Sequence, residues 1–270
     1  MKNLFLFLFL LVVFTSKAQD NRVSGLNSRQ FTKYWKVESE SPDYKVTFQG
    51  DTAEIVSPKG LTLWRKEKMS GKVTIEYDAY VVVESDGDRL SDLNCFWMAS
   101  DPQYPDNLWK REKWRSGIFL NCYSLQLYYL GYGGNHNSTT RFRRYDGDES
   151  GITNPKARPA ILKEYTDAGH LLKPNHWYHI KITNENNRVS YYIDGERLVD
   201  FRDAEPLREG WFGFRTTLSR TRITNFSYEC SSQEATAVPL QWIGETPRQD
   251  KAVSFGVPFD KGEVFPENKL

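Results

Sequence analysis

The sequence predicts an all-β fold, two antiparallel sheets packed face to face. Three observations carry that prediction. Short runs of period-two alternation dominate the chain, turns rich in Asn and Gly separate them, and aromatic residues reach 14% of 270 positions. No segment keeps the 3.6-residue period of a long amphipathic helix.

The first segment stands apart from this pattern. Leu4–Phe14 is apolar throughout, follows Lys2, and leads into Ser16-Lys17-Ala18, with small residues at the two positions a signal peptidase reads. The run is shorter than the roughly 20 residues that span a bilayer, so residues 1–18 read as a signal peptide. No Cys stands at the cleavage point to take a lipid anchor, and no later apolar run is long enough for a membrane span. The expected location is therefore secreted or periplasmic.

The strands are expected in this order. Phe31–Val37 alternates loosely, and Tyr44–Phe48 and Leu61–Trp64 alternate cleanly. Lys72–Val83 is the longest run, with Val73, Ile75, Tyr77 and Ala79 on one face and Thr74, Glu76, Asp78 and Tyr80 on the other. Cys95–Ala99, Gly117–Leu120 and Leu125–Leu130 are apolar enough to be buried strands. Trp177–Thr183 and Arg188–Ile193 form a hairpin about Asn184–Asn187, and Asp194-Gly195 turns the chain into Glu196–Phe201. Trp211–Thr216 and Arg222–Tyr228 complete the series.

Lys and Arg total 36 against 35 Asp and Glu, a net charge of +1, and loss of Lys2 and Lys17 with the leader would make it −1. Such a chain has no general basic field for a nucleic-acid backbone. Three cysteines, Cys95, Cys122 and Cys230, are too few for a disulfide scaffold; one pair bridging, or three small core residues, are both open. No CxxC or HxxxH spacing supports zinc.

From Trp177 onward the order of segments is informative. WYHIKI (177–182), YYIDGE (191–196) and GWFGFRT (210–216) resemble the concanavalin-like jelly roll of lectins, laminin-G-type modules and many glycan-active enzymes, over roughly residues 28–231. YGGNHNSTTRFRRYDG (132–147), with FWMASD (96–101) and FRTT (214–217), resembles domain-of-unknown-function family 6250 of bacterial polysaccharide-degradation systems. That resemblance implies a glycan context and assigns no reaction. After Ser231 the chain turns polar, and Leu240–Glu263 resembles the opening of large exo-acting rhamnogalacturonan-lyase-like proteins. The organisation expected is a leader (1–18), a jelly-roll domain (19–231) and a loop-like tail (232–270). The tail is too short to build its own core, so it is either the start of a second domain or a segment that folds back.

Candidate chemistry centres on Thr139–Tyr145. As a strand it puts Arg141, Arg143 and Tyr145 on one face and Phe142 and Arg144 on the other. Two arginines on one sheet face need anionic partners. Arg215 is expected to join that face, His136 to stand at its rim, and Asn94, Trp97 and Asn121 to add contacts. One reading is a cleft for an acidic polysaccharide, in which Arg neutralises a uronate and His136 and Tyr145 move protons in a β-elimination. The other is that Asp146, Asp148, Glu149 or Glu164 pair with these arginines and lock loops to the sheet. His170, His176 and His179 lack a nearby nucleophile and read as structural. Trp109 and Trp114 either stack on sugars or cover the core.

One further activity and one metal are weighed. A retaining glycosidase of this fold would show Glu-x-Asp-x-Glu, and the nearest match, Glu76-Tyr-Asp78-Ala-Tyr80, has Tyr where the acid belongs. Asp86, Asp88 and Asp92 fit no complete calcium loop and read as turn acids, so no metal or cofactor is expected beyond a structural calcium. The expectation is thus a monomeric secreted protein acting on an acidic polysaccharide, first as a lyase, with a non-catalytic binding module and then a glycoside hydrolase lacking the Glu-x-Asp-x-Glu motif as the alternatives. N-terminal sequencing of the exported protein should start at Gln19; a start at Met1 would refute the leader.

Overall fold

The computed structural model describes residues 23–231. The expected leader cleavage site and the tail from 232 lie outside the described residues.

The strands are β1 (Val23–Ser24), β2 (Trp35–Ser39), β3 (Lys45–Gln49), β4 (Thr52–Arg65), β5 (Met69–Ser70), β6 (Lys72–Val81) and β7 (Leu93–Ser100). After an irregular excursion come β8 (Gln126–Gly133), β9 (Thr139–Asp146), β10 (Lys163–Tyr165), β11 (Trp177–Glu185), β12 (Arg188–Ile193), β13 (Glu196–Arg202) and β14 (Glu209–Ser231). Every pairing between them is antiparallel.

Two long strands belong to both sheets. The first half of β14 pairs with β7 and with the second half of β4, whereas its second half pairs with β6 and with the first half of β4. The first sheet therefore runs β10-β9-β8-β7-β14-β4-β2, and the second runs β13-β12-β11-β6-β14-β4-β3. The change of sheet falls at an irregularity between Thr217 and Ser219, where Leu218 is left-handed and exposed. This is the jelly-roll sandwich that the alternation predicts.

Period two fills the space between the sheets. Leu61, Leu63, Cys95, Trp97, Tyr128, Leu130, Phe142, Phe212 and Phe214 point inward from the first sheet. They meet Val73, Ile75, Tyr77, Ala79, Ile180, Ile182, Val189 and Tyr191 from the second. Each large apolar side chain removed from water contributes roughly 1.5–3 kcal/mol. Part of the outer face of the first sheet is also apolar: Trp64, Phe96, Leu127, Tyr129, Tyr145 and Trp211 lie under Leu108, Cys122, Tyr123 and Leu125 of the excursion between β7 and β8.

Three expected elements differ. Phe31–Tyr34 is a helical turn, and the strand begins only at Trp35. A strand would send Phe31 and Tyr34 to opposite faces; a turn lets both pack against the core. Gly117–Leu120 is not a strand, because Ser116 and Gly117 are both left-handed and Leu120–Ser124 winds into a 3₁₀ turn. The last two expected strands are one, β14. The hairpin turns fall where predicted, with Asn186, Asp194 and Gly195 at positive φ. All three cysteines are free thiols, Cys95 and Cys122 buried, and burial pushes both of those up to about 12.

Trp97 sits in the middle of the inter-sheet core, 1% exposed, with ring centroids of Tyr128, Phe142 and Tyr191 at 5.7, 6.0 and 6.1 Å. Trp97→Ala should therefore cost about 3–5 kcal/mol, read as a drop in the urea midpoint with little change in slope.

Candidate functional site

Cross-strand register draws a line of side chains over the outer face of the first sheet. Glu38 lies beside Thr62, Thr62 beside Arg215, Arg215 beside Asn94, Asn94 beside Gly131, Gly131 beside Arg141 and Arg141 beside Glu164. The next line, two residues along each strand, is mostly aromatic: Trp64, Gly213, Phe96, Tyr129 and Arg143. The excursion between β7 and β8 covers the aromatic part of that second line and the Glu38 end of the first, and leaves the rest open. The open part is a cleft of about 370 Å³ whose lining includes Arg215, Asn94, Tyr129, His136, Arg141 and Arg143.

The cleft is cationic. Arg141 Nε donates to Glu164 at 2.5 Å, so one of the internal pairs foreseen from the sequence does form. It forms at the cleft and leaves Arg141 29% exposed in its side chain. Arg143 donates to the carbonyl of Pro159 and has no carboxylate partner among the described residues. Arg215 is buried, donates to the Gly117 carbonyl at 2.6 Å, and has its guanidinium 5.6 Å from the Phe119 ring centroid. Gly60, beside it, must be glycine: a Cβ would lie 2.5 Å from Arg215 Nη2 and 2.4 Å from the Gly117 carbonyl. Arg89 pairs with Asp92 at 2.9 Å, and Asn94 donates to Asp92 at 3.3 Å. Asn94 is 7% exposed and lines the cleft, and its Oδ1 is a buried acceptor with no hydrogen-bond partner among the described residues.

The wall beside Arg215 is fixed by buried charge. Arg115 is fully buried, donates to Glu38 at 2.9 Å and to the Leu108 carbonyl at 2.7 Å, and stands 3.8 Å from the equally buried Asp101. Burial pushes the Glu38 carboxyl up, against the opposing pull of Arg115. Arg111 completes the set with two bonds to Asp101, at 2.7 and 2.8 Å. These contacts clamp the covering segment onto the sheet.

His136 reaches the rim on an unusual turn. Asn135, His136 and Asn137 are consecutive left-handed residues, with φ of 51°, 58° and 57°. The turn is tied down by Asn137, which donates to the Leu172 carbonyl at 2.9 Å and accepts from its N–H at 2.8 Å. Ser138 closes it by donating to the Asn135 carbonyl. The His136 ring is exposed and makes no hydrogen bond among the described residues.

Of the residues singled out from the sequence, His136, Arg141, Arg143, Arg215 and Asn94 line one cleft. Three do not. Trp97 is corrected to the inter-sheet core: it is three residues from Asn94 on one strand, so the two face opposite ways. Asn121 donates to the Trp114 carbonyl in the covering segment and lies outside the lining. Tyr145 shares the face of Arg141 and Arg143, as parity requires, but Tyr123 and Tyr129 pack over it at 5.2 and 5.8 Å. It is fully buried, its hydroxyl has no hydrogen-bond partner among the described residues, and burial holds its phenol well above the ordinary value. The tyrosines that line the cleft are Tyr123 and Tyr129; sequence reasoning passed over Tyr129 because both faces of β8 are apolar and give no parity signal.

Other expectations resolve locally. His170 meets Asp167 and Glu196, His176 is 3.6 Å from Asp194, and His179 is 2.7 Å from Asp78. Trp109 packs against Trp211, and Trp114 is exposed beside Arg111. Glu76, Asp78 and Tyr80 face away from the core on the second sheet, where Asp78 also binds Asn225 and Glu76 pairs with Lys181. Asp88 accepts the N–H groups of Glu84 and Ser85, a turn acid, and among the described residues no group of three or more His, Cys, Asp or Glu is placed to hold a metal. No helix among them is long and apolar enough to cross a membrane.

Comparison with known proteins adds family and fold. The profile of a family described as Domain of unknown function (DUF6250) matches residues 55–226, which contain Asn94, Tyr129, His136, Arg141, Arg143 and Arg215 of the cleft. A second profile, a PcRGLX-like N-terminal RIFT barrel domain, matches residues 236–270, as the resemblance of the tail implied. No curated protein matches the sequence. Among solved structures, a Bacillus subtilis protein of unknown function with a galectin-like fold is similar at 15% identity and a TM-score of 0.59, over 75% of this chain and 91% of that one. The exoplasmic/lumenal domain of VIP36, in a Ca2+/Man3GlcNAc-bound form, is similar at 10% identity and a TM-score of 0.52, over 80% and 90%. The fold is galectin-like.

Arg115→Ala strands Glu38 as a buried carboxylate without its cation, while Asp101 keeps Arg111. It should cost about 3–5 kcal/mol, seen as a large fall in the melting temperature, with Glu38→Ala in the same background costing much less than on its own.

Proposed function

The chain belongs to the DUF6250 family, and we propose that its arginine cleft takes an acidic, uronate-bearing glycan of an exported polysaccharide-degrading system and cleaves it by β-elimination. One observation carries this reading: Arg143 stands in an open cleft without a carboxylate partner among the described residues, beside Arg141 and near Arg215. A guanidinium held that way is built for an anion brought by the ligand. Asn94 Oδ1 offers a buried acceptor for a sugar hydroxyl. The sugar-bound state of VIP36 in a similar sandwich is in keeping with a glycan ligand.

The chemistry follows from charge. A uronate carboxylate neutralised by Arg141 and Arg143 makes the proton at C5 more acidic. The His136 imidazole at the rim takes that proton, a double bond forms between C4 and C5, and the C4–O bond breaks. The second reading is a binding module without catalysis. It is favoured by the His136 ring itself, which has no hydrogen-bond partner among the described residues to fix its tautomer.

A panel of acidic polysaccharides, followed by the ultraviolet absorbance of unsaturated uronate ends, separates the two. Product from wild type supports elimination; binding without product leaves the module. Arg143→Ala removes a charge-assisted contact of about 1.5–3 kcal/mol, so Kd for a uronate oligosaccharide should rise about tenfold or more, with turnover falling alongside. Unchanged affinity would overturn the cleft as the uronate site.

A further inference from the structure

We infer that Tyr129 is the proton donor of the cleft: its hydroxyl, seated over Gly131 between Asn94 and Arg141, meets the leaving oxygen of the bound glycan. This rests on the β-elimination reading above.

The placement comes from three independent observations. First, register puts Gly131 directly between Asn94 and Arg141, at the middle of the polar line. Second, the Tyr129 side chain leans along its own strand into the space that a side chain at 131 would fill. A Cβ on Gly131 would stand only 2.3 Å from the Tyr129 hydroxyl oxygen. The glycine is thus the socket of the phenol, and no other residue type leaves that oxygen where it is. Third, the hydroxyl makes no hydrogen bond among the described residues, although the ring is 8% exposed and held by Phe96, Phe119 and Tyr145 at 5.5, 5.6 and 5.8 Å. A rigid ring with an unspent hydroxyl in a cleft has a donor to give.

The surroundings suit an acid. Burial, with Asp92 next, holds the phenol above its ordinary value, so it carries its proton at neutral pH. Arg215 and Arg143 pull the other way and stabilise the phenolate left behind. The step balances: His136 takes the C5 proton, the C–H electron pair becomes the C4–C5 double bond, the C4–O pair stays with the leaving oxygen, and that oxygen takes the Tyr129 proton. The imidazolium then returns one proton through water to the phenolate.

Three variants test this against the wild type, with calorimetric binding to a uronate oligosaccharide and product absorbance as paired readouts. Tyr129→Phe keeps the ring and its packing; its turnover should fall about 100-fold or more with Kd nearly unchanged, as for loss of a general acid. Gly131→Ala, which evicts the hydroxyl without removing it, should lose turnover comparably. Tyr145→Phe should stay within about threefold of wild type, since its hydroxyl does not reach the cleft. Tyr129→Phe that turns over like wild type overturns this role and leaves the elimination reading standing. A wild type that makes no unsaturated product from any polymer overturns the elimination reading, and this step with it.

Discussion

Arg115 has no exposed surface, yet the shape of the cleft depends on it. A guanidinium out of water is stable only if carboxylates and carbonyls surround it, and Glu38, Asp101 and Leu108 do so. Those groups come from the first sheet, from the end of β7 and from the covering excursion, so satisfying one charge fixes three segments. The Gly117 carbonyl two residues on then receives Arg215. The cover ends there. Beyond it the aromatic line gives way to the polar one, and the sheet face becomes a site instead of a second core.

The same face thus serves two purposes along each strand. Tyr145 and Arg143 are separated by one step of the pleat, and Tyr129 and Gly131 by another. In each pair the first residue packs under or against the cover and the second meets the open line. A sheet offers that contrast cheaply, because neighbours on one face lie two residues apart. Only the boundary of the covering loop decides which of them meets solvent.

How much of this was legible in the sequence follows from which interactions are local. Alternation within a strand is local, so the sandwich, the hairpin turns and the shared face of Arg141 and Arg143 could all be read directly. Parity also placed Tyr145 correctly on that face; what hid it was Tyr123, from a loop whose path no period announces. Trp97 and Asn94 were grouped together although three residues apart on one strand, an error that parity alone would have corrected. Tyr129 was out of reach. Its role depends on Gly131 beside it and on two strands paired across it, and register between strands leaves no mark in a sequence whose faces are both apolar. Phe31–Tyr34 and Gly117–Leu120 failed for a related reason, since the first obeys tertiary packing and the second two left-handed residues.

The turn that carries His136 has a consequence for how substitutions there are to be understood. Three consecutive residues in left-handed backbone form a stretch that Asn, Asp, His and Gly enter at modest cost and that β-branched side chains resist. The backbone therefore filters what position 136 accepts before any ligand does. A Val at 136 would report on the loss of the turn, and with it on the Asn137–Leu172 clasp, as much as on the loss of an imidazole. Asn keeps the conformation and removes only the base. In relatives, an Asn at this position would therefore mark the same loop stripped of its base, and a β-branched residue would mark a different loop altogether.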